Sequence, residues 1–458
     1  MKFKKYLKRK ALHKLFEKKL KNSEIIGTDG VSTRQFLSII NDEINIIKRK
    51  IKNHTYKFSP YKEQLILKGK DSNPRMISIP TNRDRLTLSS LQKFLSDKFK
   101  DSLSNDNVNT KVAEIIKTIE LQQYESFIKV DIENFFPNID HVILLEKIEK
   151  HIDDVEAIYV INKAIKQVTI SKGRRKNKQN ETNNKGVPQG LSISNILSKI
   201  YLSDLDKKFS TKSNLKYFRY VDDILIFCNK DDVEKIIFEI REQMRMLQLT
   251  MHEIKDNSEK STVGSLKEDK FQYLGFEFFK DKISVRESSI DRLRERIVGV
   301  FCKNVKKDDS TLYKELNLKI SGCVYNNKQY GWIYFFRQIN DLTLLYSLDE
   351  FVKKLFKKFH REYDEKKIKK FTKTYYFLKS YNIKKLHSKS YIPNFTKEEK
   401  LKKIIQINMK KIVLNFPESM KNISLDSPQK IEIKNSSLSL TKSMKKAIVD
   451  LKNDVEYY

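Results

Sequence analysis

Three cysteines in 458 residues, Cys228, Cys302 and Cys323, supply neither a disulfide framework nor a paired metal-ligand spacing, which points to a reducing compartment. No apolar run approaches the roughly 18–20 residues of a membrane-spanning helix, and the lysine-rich opening Met1–Lys21 lacks the apolar segment of a signal peptide. A cytoplasmic protein with no membrane partner is therefore expected. Repeats of fixed period are absent, which argues against a solenoid. Acidic residues are short in supply: 59 against 92 lysines and arginines, a formal charge of +33. Part of that excess is a lysine-rich habit spread over the whole chain, but its size suggests a polyanionic partner.

The length suffices for two or three domains with a buried core. Near the start, Leu12, Leu15, Phe16 and Leu20 form an amphipathic stripe, expected to pack on the rest of the chain or on RNA rather than on a membrane. The chemistry is concentrated further on. Apolar strand-forming residues Leu215, Tyr217, Phe218 and Tyr220 precede Asp222-Asp223, and Ile224, Leu225, Ile226 and Phe227 follow, so a hairpin with its turn at the aspartates is predicted. About ninety residues upstream, Phe127–Phe136 alternates. Ile128, Val130 and Ile132 fall on one face and Lys129, Asp131 and Glu133 on the other, so Asp131 points away from the core. Two adjacent carboxylates on a turn with a third on a neighbouring strand suit a pair of Mg²⁺ ions about 3.5–4 Å apart, Mn²⁺ being an alternative. An Asp-Asp pair alone is commonly a solvated turn; the set is what carries meaning.

After the Pro188-Gln189-Gly190 turn, Ile193, Ile196, Leu197, Ile200 and Tyr201 follow helical spacing, with Ser192 or Ser194 available as a cap. The basic stretch Ser171–Lys185, holding Arg174, Arg175 and Lys176, reads as a loop that is either solvated or in contact with template or primer phosphates. Two basic amphipathic helices are predicted later, one starting with Ile290, Leu293 and Ile297 and a longer one through Leu345, Leu348, Phe351, Val352, Leu355, Phe356 and Phe359, whose Lys353 and Lys357 suit a duplex backbone.

Taken in order, these segments resemble a reverse transcriptase of the bacterial group II intron-like and defence-associated class. Pro74–Leu86 is similar to the fingers motif, Asp131 with Phe135-Phe136 to the first palm motif, Gly186-Val-Pro-Gln-Gly-Leu-Ser192 to the second, Tyr220-Val-Asp-Asp223 to the third, and Phe271-Gln-Tyr-Leu-Gly-Phe276 to the primer-grip hairpin. Gly27–Val31 resembles the N-terminal segment of intron-like enzymes, and Leu316–Phe336 the thumb of defence-associated ones.

The resemblance implies an α+β right-hand polymerase: fingers over 1–120, an RRM-like palm with an antiparallel sheet over 121–283, a helical thumb over 284–364 and a basic helical extension over 365–458. It implies RNA-directed DNA polymerisation with Asp131, Asp222 and Asp223 catalytic, and with these and the Ile132 backbone at the metals. Arg75, with Lys68 or Lys70, would clamp the triphosphate, Phe136 would exclude a 2′-hydroxyl, and Gln189 and Gly190 would meet the template-side base. Phe135 could exchange roles with Phe136, and Lys255 competes with Lys260 for the place near the pyrophosphate. Tyr273, Leu274 and Gly275 would grip the primer and Arg85 would bind nucleic acid. Implied partners are an RNA template, a cognate noncoding RNA above all, DNA product and dNTPs, with a homo-oligomer left open. RNA-templated RNA synthesis, non-templated or protein-primed synthesis (21 tyrosines, with Tyr457 and Tyr458 terminal), a retron- or intron-type reverse transcriptase and an idle RNA-binding protein are the competing readings.

Overall fold

The computed structural model describes residues 2–66, 74–100, 103, 107–171, 182–256, 258–305, 308–326, 328–380, 392–393, 444 and 446–451. The chain forms two units, Met1–Asn107 with Leu121–Glu268, and Val108–Glu120 with Asp269–Tyr458.

In the first unit, β1 (Tyr61–Ile66) and β2 (Arg75–Ile79) make an antiparallel hairpin. The anticipated palm strand is β3 (Ser126–Asp131), and a short β4 (Thr169–Ile170) runs parallel to β1. The predicted acidic hairpin is β5 (Leu215–Tyr220) and β6 (Asp223–Cys228), and β7 (Thr262–Ser265) completes a four-stranded antiparallel sheet in the order β5-β6-β3-β7. Strand alternation sends Ile128, Val130, Ile224 and Ile226 into the core, where all four are fully buried. The helix Val233–Met246 meets this core through Val233, Ile236, Ile237, Ile240 and Met244, one stripe at helical spacing. The N-terminal stripe packs as expected on the chain: Leu12, Phe16 and Leu20 join the same core and Leu15 packs against it.

Two local features depart from the sequence pattern. On the face of β3 turned away from the core, Lys129 is only 6% exposed, because β7 pairs along β3 and the chain before β7 closes over the ammonium. At the helix Ser194–Tyr201, the N-cap position is Ile193 and no side chain caps it. Ser194 instead donates through Oγ to the Pro188 carbonyl at 2.7 Å, which ties the turn to the helix.

In the second unit, β8 (Phe271–Tyr273), β9 (Phe276–Phe279) and β10 (Lys282–Val285) form an antiparallel sheet. Leu274 and Gly275, both with positive φ, are the two-residue loop of its first hairpin. The two predicted helices are Glu287–Lys303 and Leu342–Lys358, equal at 17 residues each, so the second is not the longer. They meet through Phe301 and Phe356 at 5.1 Å between ring centres. A short hairpin of β11 (Cys323–Tyr325) and β12 (Lys328–Tyr330) follows the helix Asp309–Ser321. Tyr375 is buried in the helix Phe371–Ser380 and its hydroxyl donates to the Ile339 carbonyl. Most of the anticipated extension after residue 380 lies outside the described residues. No helix among the described residues is long and apolar enough to cross a membrane.

Candidate active site

Strand register brings the three aspartates to one end of the four-stranded sheet. Tyr220 faces Asp223 across the hairpin, leaving Val221 and Asp222 as its two-residue loop. On the other side of β6, Asp131 lies directly opposite Asp223. The Ile132 N–H donates to the Asp222 carbonyl at 3.3 Å, which locks the loop to the end of β3.

The carboxylates share a crowded electrostatic environment. Burial raises the Asp222 pKa and the charge of Asp131 raises it further, with Arg75 and Lys260 opposing. Burial pushes Asp223 up to about 7 against the pull of Lys129. Asp131 is held from two sides: Lys260 donates to its Oδ2 at 2.7 Å, and its own N–H donates to Ser261 Oγ at 3.1 Å. His252 stands beside it, with Nε2 3.6 Å from Asp131 Oδ2 and Nδ1 3.5 Å from Glu133 Oε1.

Among the described residues, no three His, Cys, Asp or Glu side chains are already gathered at ligating distance around one point. The donor set still fits a divalent cation. Its members are hard carboxylate oxygens in adjacent positions, and their mutual repulsion is a cost that a cation relieves. Lys260 supplies one positive charge at that position.

The surrounding residues divide by location. Arg75 starts β2 and is exposed, its charge felt at Asp222. Phe135 is buried in the core whereas Phe136 is half-buried, which separates the two rings that the sequence left interchangeable. Lys260, not Lys255, reaches Asp131; Lys255 pairs with Glu253. The Gln189 carbonyl accepts from the Ser78 N–H at 2.7 Å, and Gly190 follows at φ +97°, where a Cβ would lie 2.6 Å from Ile77 Cγ2. The Pro188–Gly190 turn thus sits against β2.

Arg85 does not extend from the surface: its guanidinium donates to Ser23 Oγ and to Asn82 Oδ1. Lys68, Lys70, Arg174, Arg175, Lys176, Tyr457 and Tyr458 lie outside the described residues. Tyr273, Leu274 and Gly275 occupy the β8–β9 hairpin of the second unit, with the first two buried, and Lys353 and Lys357 are exposed on the helix Leu342–Lys358.

Three contributors escaped the sequence reading. Lys129 donates through Nζ to the Glu259 carbonyl at 2.6 Å; its signal was a lysine two positions before Asp131 on the same strand face. His252 had no signal, since its place comes from a β-bridge between Ile132 and Met251. Arg219, between two aromatic residues of β5, pairs with Asp206 on the preceding helix Ser203–Ser210, a partnership that no short spacing rule reveals.

Residues 66–278 match the family described as reverse transcriptase (RNA-dependent DNA polymerase). The group II intron-encoded protein LtrA of Lactococcus lactis subsp. cremoris is 26% identical over 266 residues, 56% of this chain and 42% of that protein. Protein YkfC of Escherichia coli (strain K12) is 24% identical over 198 residues, 41% of this chain and 50% of that protein. The chain therefore spans half or less of the length of these relatives. A solved telomerase from Candida albicans, in complex with a fragment of telomeric RNA, aligns with a TM-score of 0.43 at 14% identity, over 76% of this chain and 62% of that one. The α+β fold anticipated from the motifs stands, and the residues that match the reverse transcriptase family, 66–278, hold all three aspartates, Lys260 and the Pro188–Gly190 turn.

Proposed function

We propose that the chain is an RNA-directed DNA polymerase whose Asp131, Asp222 and Asp223 hold two Mg²⁺ ions, with Mn²⁺ able to replace them. The observation that carries this reading is the pairing of Asp131 with Asp223 beside the Asp222 loop, inside a reverse transcriptase domain. Bound there, the metals would lower the pKa of the primer 3′-hydroxyl and offset the charge of the triphosphate and departing pyrophosphate. The protein's own part is positioning and charge. Lys260, 61% exposed at its side chain, is free to exchange Asp131 for a phosphate oxygen and to donate a proton to the leaving pyrophosphate. Arg75 steadies the triphosphate with its planar fork. The half-buried ring of Phe136 excludes a ribose 2′-hydroxyl, while the Gln189–Gly190 backbone lines the template-side base. Tyr273–Gly275 grips the primer, and Lys353 and Lys357 follow the duplex backbone by charge.

The resemblance of Gly27–Val31 and Leu316–Phe336 to intron-like and defence-associated enzymes supports a finer reading. In it, a cytoplasmic bacterial enzyme, acting alone or as a homo-oligomer, copies a cognate noncoding RNA in antiphage defence. The decisive experiment is purification from the natural locus, with sequencing of bound RNA and DNA, alongside Asp222→Asn and Asp223→Asn. One enriched RNA with complementary DNA that disappears in the variants supports dedicated-template reverse transcription. DNA that persists in the variants rejects these carboxylates as its source. Heterogeneous RNA with variant-sensitive DNA rejects the cognate template but keeps the polymerase.

A further inference from the structure

Val221 has φ +59°, in the left-handed region, although it is β-branched and occupies the loop that carries Asp222. It is the first central residue of a two-residue hairpin loop, a place glycine usually takes when φ is positive there. A β-branched side chain in this region is a true outlier, disfavoured by roughly tenfold to a hundredfold, and persists only where its surroundings over-determine it.

Those surroundings are visible. Arg219 donates through Nη1 to the Val221 carbonyl at 2.8 Å. The same guanidinium grips Asp206 with a second prong, Nε to Oδ1 at 2.6 Å, and a third, Nη2 to Oδ2. Tyr217, two residues before Arg219 on the same strand face, donates from its hydroxyl to Asp206 Oδ1 at 2.9 Å and stacks on Phe209 of the helix that bears Asp206. The Arg219 side chain is only 7% exposed, so water competes little for its donors. A bidentate arginine–carboxylate pair fixes direction as well as distance, and the remaining Nη1 donor is aimed at the strained peptide.

We propose that Asp206 and Arg219 are positioning residues: a brace, anchored on the helix Ser203–Ser210, that holds Val221 in its strained conformation and so sets where Asp222 presents its carboxylate. Neither residue touches substrate. The cost of the brace is strain at Val221; its benefit is a loop that cannot relax away from Asp131. The functional half of this inference rests on the polymerase reading above, while its conformational half does not.

A double-mutant cycle tests it, using the full chain, an RNA template with annealed primer, and peptide-level amide hydrogen exchange across residues 220–223. Arg219→Gln is expected to lower kcat by about tenfold or more, to leave KM for dNTP within about twofold, and to speed exchange of the loop. Adding Val221→Gly, which adopts positive φ without steric cost, is expected to restore kcat to within about threefold of the unmutated protein. A residue that merely stabilised the fold would not be rescued in this way. Should glutamine at 219 prevent folding, judged by thermal melting, Asp206→Asn keeps an acceptor for Tyr217 and serves in its place. Unchanged loop exchange in Arg219→Gln, or lost kcat that Val221→Gly does not recover, overturns the brace. If the unmutated protein incorporates no nucleotide, the polymerase reading fails, and the exchange data alone decide the brace.

Discussion

Lys260 donates through Nζ to Oδ2 of Asp131 at 2.7 Å, and the residue before it, Glu259, has its carbonyl held by the buried Lys129 ammonium at 2.6 Å. The two lysines therefore form a relay: one fixes the backbone from below, and the other reaches the carboxylate from that fixed backbone. The outer pair is exposed, worth about 1 kcal/mol or less, so Lys260 is readily drawn away by phosphate. The inner contact is buried and satisfies a carbonyl, and its loss costs roughly 1–3 kcal/mol.

A cycle on these two positions separates the roles. Lys260→Met should leave the unfolding free energy unchanged within about 0.5 kcal/mol and lower kcat for nucleotide incorporation by about a hundredfold. Lys129→Met should lower both stability and kcat. If Lys129 acts through Lys260, the double variant will incorporate no more slowly than Lys260→Met alone, measured by single-turnover primer extension. Fully multiplicative losses would instead assign Lys129 a separate effect on Asp223.

Gly190 predicts a steric outcome. At φ +97° an alanine is strained whatever space it finds, and its Cβ would meet Ile77 Cγ2 at 2.6 Å and the Ser78 carbonyl at 3.1 Å. Neither neighbour is the far end of a flexible chain. Gly190→Ala should therefore push the turn off β2, breaking the Ser78 N–H bond to Gln189, and should cost about 1–3 kcal/mol. Denaturant titration measures that loss, and incorporation on an RNA template should fall with it.

Phe136 bears on sugar choice. Its ring is half-buried and lies 5.5 Å from that of Phe135, which is core. Phe136→Ala should therefore keep the fold, since the deeper ring stays in place, and should raise ribonucleotide use relative to deoxyribonucleotide use by about tenfold or more. The ratio of kcat/KM for the two triphosphates reads this directly. An unchanged ratio would favour RNA-templated RNA synthesis and leave Phe136 as a packing residue.

Much of the site was legible in the sequence because it is local. The acidic hairpin follows from two apolar runs meeting at Asp222-Asp223, and the outward aim of Asp131 from alternation along six residues of β3. What was not legible depends on contacts between distant segments. Lys129 reads as a surface residue until β7 and the Glu259 carbonyl cover it. Arg85, expected to bind nucleic acid, donates to Ser23 Oγ, 62 residues away, a contact that no local pattern announces. Ser194 has the composition of a cap, yet the Pro188 carbonyl, five residues before the helix's N-cap, claims its hydroxyl. The strain at Val221 has no compositional mark at all, because valine is an ordinary strand residue and its positive φ emerges only once the two-residue hairpin loop is formed.

Asp84 makes stability depend on pH in a direction opposite to that of an ordinary surface carboxylate. It is 1% exposed in the first turn of the helix Asn82–Lys98, and its carboxylate accepts from the Tyr56 hydroxyl and the Thr81 hydroxyl, both at 2.8 Å, and from the Ser59 N–H at 3.0 Å. Burial nevertheless outweighs these three donors and pushes its pKa up to about 6 from 3.8. The folded state then keeps a proton that the unfolded chain has already released between these two values. Folding stability from this group is greatest below about pH 4, declines as pH rises to about 6, and is constant above, a span of about 3 kcal/mol at 1.4 kcal/mol per pH unit. Asp84→Asn cannot ionise and lacks that decline. Subtracting the variant's unfolding free energy from that of the unmutated protein at pH 4 and pH 7 removes the contribution of every other carboxylate, and the difference should shift toward the variant as pH rises. A shift the other way would mean that the three donors, rather than burial, govern Asp84.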